Sequence, residues 1–368
     1  MLKYAQILKK SPASLEQAAL AHLRTALAGI PFVTPGVSEQ RSADSCADLT
    51  VELEARGQKW LLVCEFKRSG QPRYVREGAF QLRKYLEAYS SDRAYGVFIA
   101  PYLSEESTAL LREESLGYFD FAGNCFLSFD GVFIERTGAP HTPERRRALR
   151  ELFSPKASRV VRTLFTDPAR HWRVTELASH AAVSLGQVSN VRRALLDREW
   201  ASADPQGLRL VKPGALLDEW RTAYKSAFEQ ATHYYTLLHG EPLTEALKAA
   251  EAPGLQATES RVMLASFSAA QWISPFARTS GIICYASEAG EALLTEKLQL
   301  QPAGRGENVT VVRPKDDSVY IDPYEPLPGL HCTGALQTYL DLWASGDRGR
   351  EAAEHLRQDR LDPQWSSL

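Results

Sequence analysis

The run Ala94-Tyr-Gly-Val-Phe-Ile-Ala100 carries no charged side chain. Successive side chains of a strand point to opposite faces, so a strand that is apolar throughout must be covered on both sides, as in a sheet flanked by helices. That requirement directs the front of the chain toward a mixed α/β layer. Its neighbours fit. Asp48-Leu-Thr-Val-Glu-Leu-Glu-Ala55 and Trp60-Leu-Leu-Val-Cys-Glu-Phe-Lys67 read as strands, and Arg56-Gly57-Gln58-Lys59 between them predicts a hairpin turn. Upstream, Ser14-x-x-Gln17 is a capping-box pattern that predicts a helix through Ala28, stopped at Gly29. Helices are expected over Val75–Tyr89 and Ser104–Ser115, and a closing strand pair at Tyr118–Phe121 and Cys125–Arg136. Asp120-Phe-Ala-Gly123-Asn124 reads as a tight turn whose replacement would affect folding more than chemistry.

Glu65 and Lys67, two apart on one strand, project to the same face. If the hairpin pairs, Asp48 lies close to Glu65. Two carboxylates with an open coordination position suit Mg²⁺. Such an ion generates hydroxide and polarises a phosphoryl oxygen, while a nearby ammonium stabilises the developing charge. Phosphodiester hydrolysis needs these groups. The alternative is a structural ion pair at a sheet end, worth little if exposed, with Asp48 as a strand-start residue. On these residues the segment resembles the PD-(D/E)xK nuclease superfamily: Asp48 matches the first acid, and Glu65-Phe66-Lys67 the second motif. Gln81-Leu-Arg-Lys-Tyr85 is similar to the Gln-x-x-x-Tyr motif of RecB-like members, and Gln81 and Tyr85 share a helix face. The resemblance implies a restriction-endonuclease-like fold, with Asp48 and Glu65 as metal ligands, Lys67, Gln81 and Tyr85 beside them, and Glu16 as a further acid. Ala47 stands where that family often has proline.

Charge divides the rest. The chain of 368 residues has a formal net charge of only −2. Residues 1–140 hold 16 basic and 17 acidic side chains, residues 141–220 hold 14 and 9, and residues 221–368 hold 13 and 19. A basic segment between neutral and acidic ones is an electrostatic footprint for nucleic acid. The break Thr137-Gly-Ala-Pro140 precedes it, and Arg145, Arg146, Arg147 and Arg150 begin it as a basic connector. Helices are then expected over Pro155–Phe165, Val174–His180 and Ser184–Leu196, followed by a hairpin from Trp200 to Val211. Leu177, Val188, Val191 and Leu195 are the expected core. This order strongly resembles winged helix-turn-helix domains. It implies that Ser184, Gln187, Ser189, Asn190 and Arg193 face the major groove of double-stranded DNA, while Arg162, Arg192, Arg209 and the 145–150 cluster hold phosphates. The alternative is a winged helix that mediates only protein contacts.

In the acidic segment a linking helix is expected over Glu219–Tyr235, strands over Gly281–Ala286, Asn308–Arg313 and Ser318–Ile321, and helices over Ala335–Trp343 and Gly349–Arg357. His331-Cys332 has no orienting partner in the sequence and reads as packing. Asp341, Asp347, Arg348 and Arg350 read as an exposed, ion-paired helix pair. Gln337-Thr-Tyr-Leu-Asp-Leu-Trp-Ala-Ser-Gly-Asp-Arg-Gly-Arg-Glu-Ala-Ala353, with Ser268-Ala-Ala270, resembles the C-terminal domain of AbiEi-type antitoxins from type IV toxin–antitoxin systems. The likeness extends over roughly 145–360. It implies an autorepressor that counteracts a nucleotidyltransferase-like toxin.

The expectation is therefore an α/β multidomain chain: a restriction-endonuclease-like domain at 1–140, a winged helix-turn-helix domain at 141–220 and an α+β domain at 221–368. Two functions fit it. One is a DNA-binding, antitoxin-like transcriptional regulator; the other is a Mg²⁺-dependent deoxyribonuclease directed by its winged helix. No run approaches the roughly 18 to 20 apolar residues of a membrane helix, and the first twenty residues lack a signal-peptide core, so a cytoplasmic protein is expected. Five scattered cysteines without a CxxC pair read as reduced thiols. Oligomeric state is open, a homodimer included.

Overall fold

The computed structural model describes residues 20, 21, 23, 24, 27, 33–40, 48–55, 57–88, 93–138, 143–250, 261–276 and 281–366. The helix start at Ser14, the candidate acid Glu16, Arg56 of the hairpin turn, the break at Pro140 and Cys46 lie outside the described residues. The chain divides into two compact units, one of residues Met1–Ala148 with Leu196–Glu199, the other of residues Leu149–Leu195 with Trp200–Leu368.

The first unit is built on a sheet with strand order β1 (Val33–Gln40), β2 (Leu49–Ala55), β3 (Gln58–Phe66), β4 (Ala94–Ala100), β5 (Gly117–Asp120), β6 (Cys125–Phe129) and β7 (Val132–Arg136). Strands β3, β4 and β5 run parallel, and the outer pairs are antiparallel. Parallel neighbours need crossovers. These are helices α1 (Pro72–Ala88) and α2 (Glu105–Glu113), the latter capped by Ser104 Oγ, which accepts from the Ser107 amide. Strand β4 meets the double covering that its composition demands. Tyr95, Val97 and Ile99 enter one core with Leu53 and Leu62, and Phe98 and Ala100 enter the other with Val75, Leu82 and Leu111.

Two differences from the sequence reading have local causes. Strand β1 was not expected, because it contains Pro35 and Gly36. Its register shifts between Pro35 and Ser38, and it lies at the sheet edge, where proline costs no central hydrogen bond. The run Cys125–Arg136 is two strands, folded at Asp130 (φ 41°) and Gly131 (φ 74°). An Asp-Gly pair with both φ positive is the tight hairpin turn that matches strand twist.

The basic connector forms helix α3 (Pro143–Leu152). In the second unit, α4 (Pro155–Thr166), α5 (Val174–His180) and α6 (Leu185–Asp197) precede the antiparallel pair β8 (Ala201–Ala203) and β9 (Leu208–Leu210). Val160, Val161, Leu164, Leu177, Val188, Val191, Leu195, Leu208 and Leu210 are buried. Trp172 bridges to Leu208 in both directions, at 2.8 and 2.9 Å.

The remainder places α7 (Pro213–Ala223), α8 (Gly240–Ala249), α9 (Ser266–Ile273), α10 (Glu288–Lys297), α11 (Ala335–Trp343) and α12 (Asp347–Leu356) around a second sheet. Its order is β13 (Gln301–Pro302), β10 (Thr232–Tyr235), β14 (Val309–Val312), β12 (Ile282–Ala286), β11 (Val262–Leu264), β16 (Leu330–Cys332), β15 (Tyr324–Leu327). The long helix expected over Glu219–Tyr235 is corrected: α7 ends at Ala223, and Thr232–Tyr235 pairs with β14 instead. The strand expected at Ser318–Ile321 is a 3₁₀ turn over Asp317–Tyr320, because Asp316 Oδ1 takes the Ser318 amide at 2.7 Å. A local side-chain bond there outcompetes strand pairing. No helix among the described residues is long and apolar enough to cross a membrane.

Candidate functional site

Strands β2 and β3 pair with Leu49 opposite Cys64, a register that sets Asp48 opposite Glu65. The Phe66 amide donates to Asp48 Oδ2 at 3.0 Å, so the first acid is tied to the strand carrying the second. Glu65 is 4% exposed. Its Oε1 accepts from the Lys67 ammonium at 2.9 Å, and its buried Oε2 receives no hydrogen bond. Burial pushes the Glu65 carboxyl up to about 7, opposed by the Lys67 hydrogen bond and reinforced by the Asp48 charge. Burial alone would lower the Lys67 pKa, but the bond to and charge of Glu65, with Glu77 and Asp48, outweigh it and raise it.

Helix α1 completes the cluster. Gln81 Oε1 accepts from Lys67 Nζ at 2.8 Å, and Glu77 Oε1 lies 3.5 Å from the same nitrogen. Glu77, missed in the sequence, stands one helical turn before Gln81, so the i, i+4 rule points to it once Gln81 is placed. The helix comes this close because position 78 is glycine: a Cβ there would sit 2.4 Å from the Phe98 ring and 3.6 Å from Glu65 Cγ. Tyr85, a turn beyond, is half-buried against the core of Val63, Leu82 and Tyr118. Thus Asp48, Glu65, Lys67 and Gln81 come together with Glu77. Among the described residues no group of three or more His, Cys, Asp or Glu side chains gathers to hold a metal.

Asp120 is fully buried. It accepts from the amides of Leu103 (3.0 Å) and Asn124 (2.9 Å) and from Asn124 Nδ2 (2.7 Å). This is a turn anchor, as expected.

Ser184, just before α6, and Ser189, Asn190 and Arg193 on it are exposed, and Gln187 and Arg192 are half-buried. Arg193 donates to Asn190 Oδ1 at 3.1 Å. Arg209 is half-buried on β9, and Arg147 is exposed on α3. Arg145 and Arg146 belong to α3, with side chains outside the described set. The expectation for Arg162 is corrected. It is 6% exposed, its guanidinium lies over the Trp220 ring at 5.0 Å, and it cannot reach a phosphate. Asp341, expected on an exposed helix face, is also fully buried. Tyr224 (2.6 Å) and Tyr285 (2.9 Å) hydroxyls and Gln337 Nε2 (2.8 Å) all donate to its Oδ1. Burial pushes its carboxyl up to about 7 against these donors and the Arg162 charge. Asp347 and Arg350 do form an exposed pair at 3.3 Å. Cys332 is buried, which pushes its thiol up to about 12 and leaves it a poor nucleophile.

Residues 209–362 match the AbiEi antitoxin family. The family model is described as a transcriptional regulator, AbiEi antitoxin, of a type IV TA system. The match covers the acidic segment and begins after helices α4 to α6. No curated protein matches the chain. Among solved structures, EndoMS in apo form is similar at 22% identity, covering 28% of this chain and 45% of that one, with a TM-score of 0.22. A repair endonuclease from Pyrococcus abyssi is similar at 21% identity over 31% of this chain and 47% of that one, with a TM-score of 0.23. The EndoMS–dsDNA2 complex gives 22%, 28%, 44% and 0.22. The chain thus spans less than half the length of these structures.

Proposed function

We propose that the protein is a DNA-binding transcriptional regulator of the antitoxin type, in which residues 141–220 form a winged helix-turn-helix that reads double-stranded DNA. The family match at residues 209–362 carries this reading. It is supported by exposed Ser184 before α6 and by the polar face of α6, where Ser189, Asn190 and Arg193 are exposed while Val188, Val191 and Leu195 are buried. Asn pairs with adenine and Arg with guanine in the major groove. The regulator is cytoplasmic, acts on its own promoter, as a homodimer if that promoter is palindromic, and opposes a nucleotidyltransferase-like toxin. The test is a mobility shift on the protein's own upstream DNA at low and high salt. Asn190→Ala is expected to cost about 1–3 kcal/mol and relax sequence preference, while Arg209→Ala weakens all sequences alike and lowers the salt slope by about one. Absence of binding at low salt would sink the reading.

A second reading is favoured by the assembly of Asp48, Glu65, Lys67 and Gln81: a Mg²⁺-dependent deoxyribonuclease on a restriction-endonuclease-like domain at 1–140. The buried Glu65 Oε2 without a donor, facing a second carboxylate at Asp48, fits a hard cation, and water and phosphate would complete its shell. The ion supplies Lewis acidity toward water and a phosphoryl oxygen. Lys67, oriented by Gln81, would hold its charge against the phosphoryl oxygens. Incubation with Mg²⁺ or Mn²⁺ on single- and double-stranded DNA tests it. Cleavage that disappears in Lys67→Ala supports hydrolysis; sequence-specific binding without cleavage leaves the site as a clamp.

A further inference from the structure

The Lys67 ammonium carries three N–H donors, and side chains from β3 and α1 surround it. Glu65 Oε1 lies at 2.9 Å and Gln81 Oε1 at 2.8 Å, whereas Glu77 Oε1 stands off at 3.5 Å. The third contact is an ion pair longer than an ordinary hydrogen bond. The Glu77 side chain is 56% exposed, and the neighbouring cations of α1, Arg73 and Arg76, pair with Asp197 and Glu199 instead. Among the described residues, then, Glu77 pairs with Lys67. Glu65 is the opposite case: it is buried, with Oε1 engaged by Lys67 and Oε2 receiving no hydrogen bond.

That unpartnered oxygen, with Asp48 opposite Glu65 in the strand register, suits a divalent cation. The ammonium 2.9 Å from the other oxygen of the same carboxylate is a like charge that opposes one. In their ionised forms Asp48, Glu65 and Glu77 against Lys67 leave two net negative charges, which one divalent cation balances; without Glu77 a single charge would remain. We propose that Glu77 is the counter-charge that allows Lys67 and a divalent cation at Asp48 and Glu65 to coexist: when Glu65 turns to the cation, Glu77 and Gln81 retain the ammonium. Gln81 is neutral, so it can direct Lys67 but cannot offset its charge. Glu77 is in this sense a positioning residue, acting on the cation through Lys67. Gly78 beside it lets α1 approach closely enough, since a Cβ there would sit 3.6 Å from Glu65 Cγ. The inference rests on the cation site of the deoxyribonuclease reading but requires neither cleavage nor a DNA substrate.

The experiment titrates the full chain with Mn²⁺ by calorimetry, and Asp48→Asn identifies the heat that belongs to this site. Glu77→Gln, which keeps the size and removes the charge, should weaken Mn²⁺ binding roughly fivefold, the scale of one partly exposed charge. Glu77→Asp should recover most of that loss. In a Lys67→Met background there is no ammonium to offset, so Glu77→Gln should change the affinity by less than about twofold. Urea midpoints in EDTA should be the same for wild type and the Glu77 variants, because an exposed pair contributes little to stability. Unchanged Mn²⁺ affinity in Glu77→Gln would overturn the inference and leave the cation site standing. An equal loss in both backgrounds would also overturn it, since Glu77 would then act on the cation directly rather than through Lys67. Mn²⁺ heat that is absent in wild type, or unaffected by Asp48→Asn, would remove the site itself and the deoxyribonuclease reading with it.

Discussion

The Phe66 amide donates to Asp48 Oδ2 at 3.0 Å, which fixes the first acid of the candidate site by the backbone of the second. Asp48 is therefore a fold residue as well as a candidate site residue. Asp48→Ala is expected to lose about 1.5–3 kcal/mol, the range for a hydrogen bond to a charged group, and to weaken Mn²⁺ binding. Asp48→Asn keeps an acceptor for the amide and should recover most stability but not the ion. Urea unfolding and calorimetric titration with Mn²⁺ separate the two; Mn²⁺ binding that is undiminished in Asp48→Asn would show that Asp48 serves folding alone.

Gly78 sets the distance between α1 and Glu65. With a Cβ placed 2.4 Å from the Phe98 ring, Gly78→Ala should destabilise by about 1–3 kcal/mol through overpacking and loosen the Gln81–Lys67 bond. An unchanged melting temperature would mean that the helix and Phe98 can separate freely.

Asp120 anchors the turn to Asn124 and the Leu103 amide from a fully buried position. Asp120→Ala leaves several donors unpaired and should cost at least about 3 kcal/mol, given roughly 1–3 kcal/mol for each stranded group. DNA affinity of the variant that remains folded should match wild type. A loss of affinity without a loss of stability would contradict the anchoring role.

Asp341 predicts a pH dependence. Its folded carboxyl titrates near 7 against an ordinary 3.8, raised first by burial. A raised folded pKa contributes stability that is full below the ordinary value and is lost as pH rises through the folded one. The urea midpoint of wild type should therefore fall between about pH 4 and pH 7 more steeply than that of Asp341→Asn, which cannot ionise. Parallel curves would show that Asp341 does not titrate in this range.

Several parts of the fold could be read without coordinates because they are written in local periods. The alternation of Leu49, Val51, Leu53 and Ala55, the apolar run of β4 and the spacing of Val188, Val191 and Leu195 each name their own buried face. The Asp130-Gly131 turn is legible too, as an Asp-Gly pair inside a run that alternates on both sides of it. Strand β1 was not, since Pro35 and Gly36 are tolerated only because that strand lies at an edge.

The sequence by itself determined most of the strands and helices and which of Asp48, Glu65, Lys67 and Gln81 share a face as candidate site residues, because a strand's period of two and a helix's return after four residues decide which side chains share a face. Only the tertiary structure decided that Glu77 joins Lys67 and that Arg162 and Asp341 are buried rather than exposed. Whether a polar side chain meets water depends on which distant element covers it, here Trp220 over Arg162 and Tyr224 with Tyr285 against Asp341. No local period records that covering.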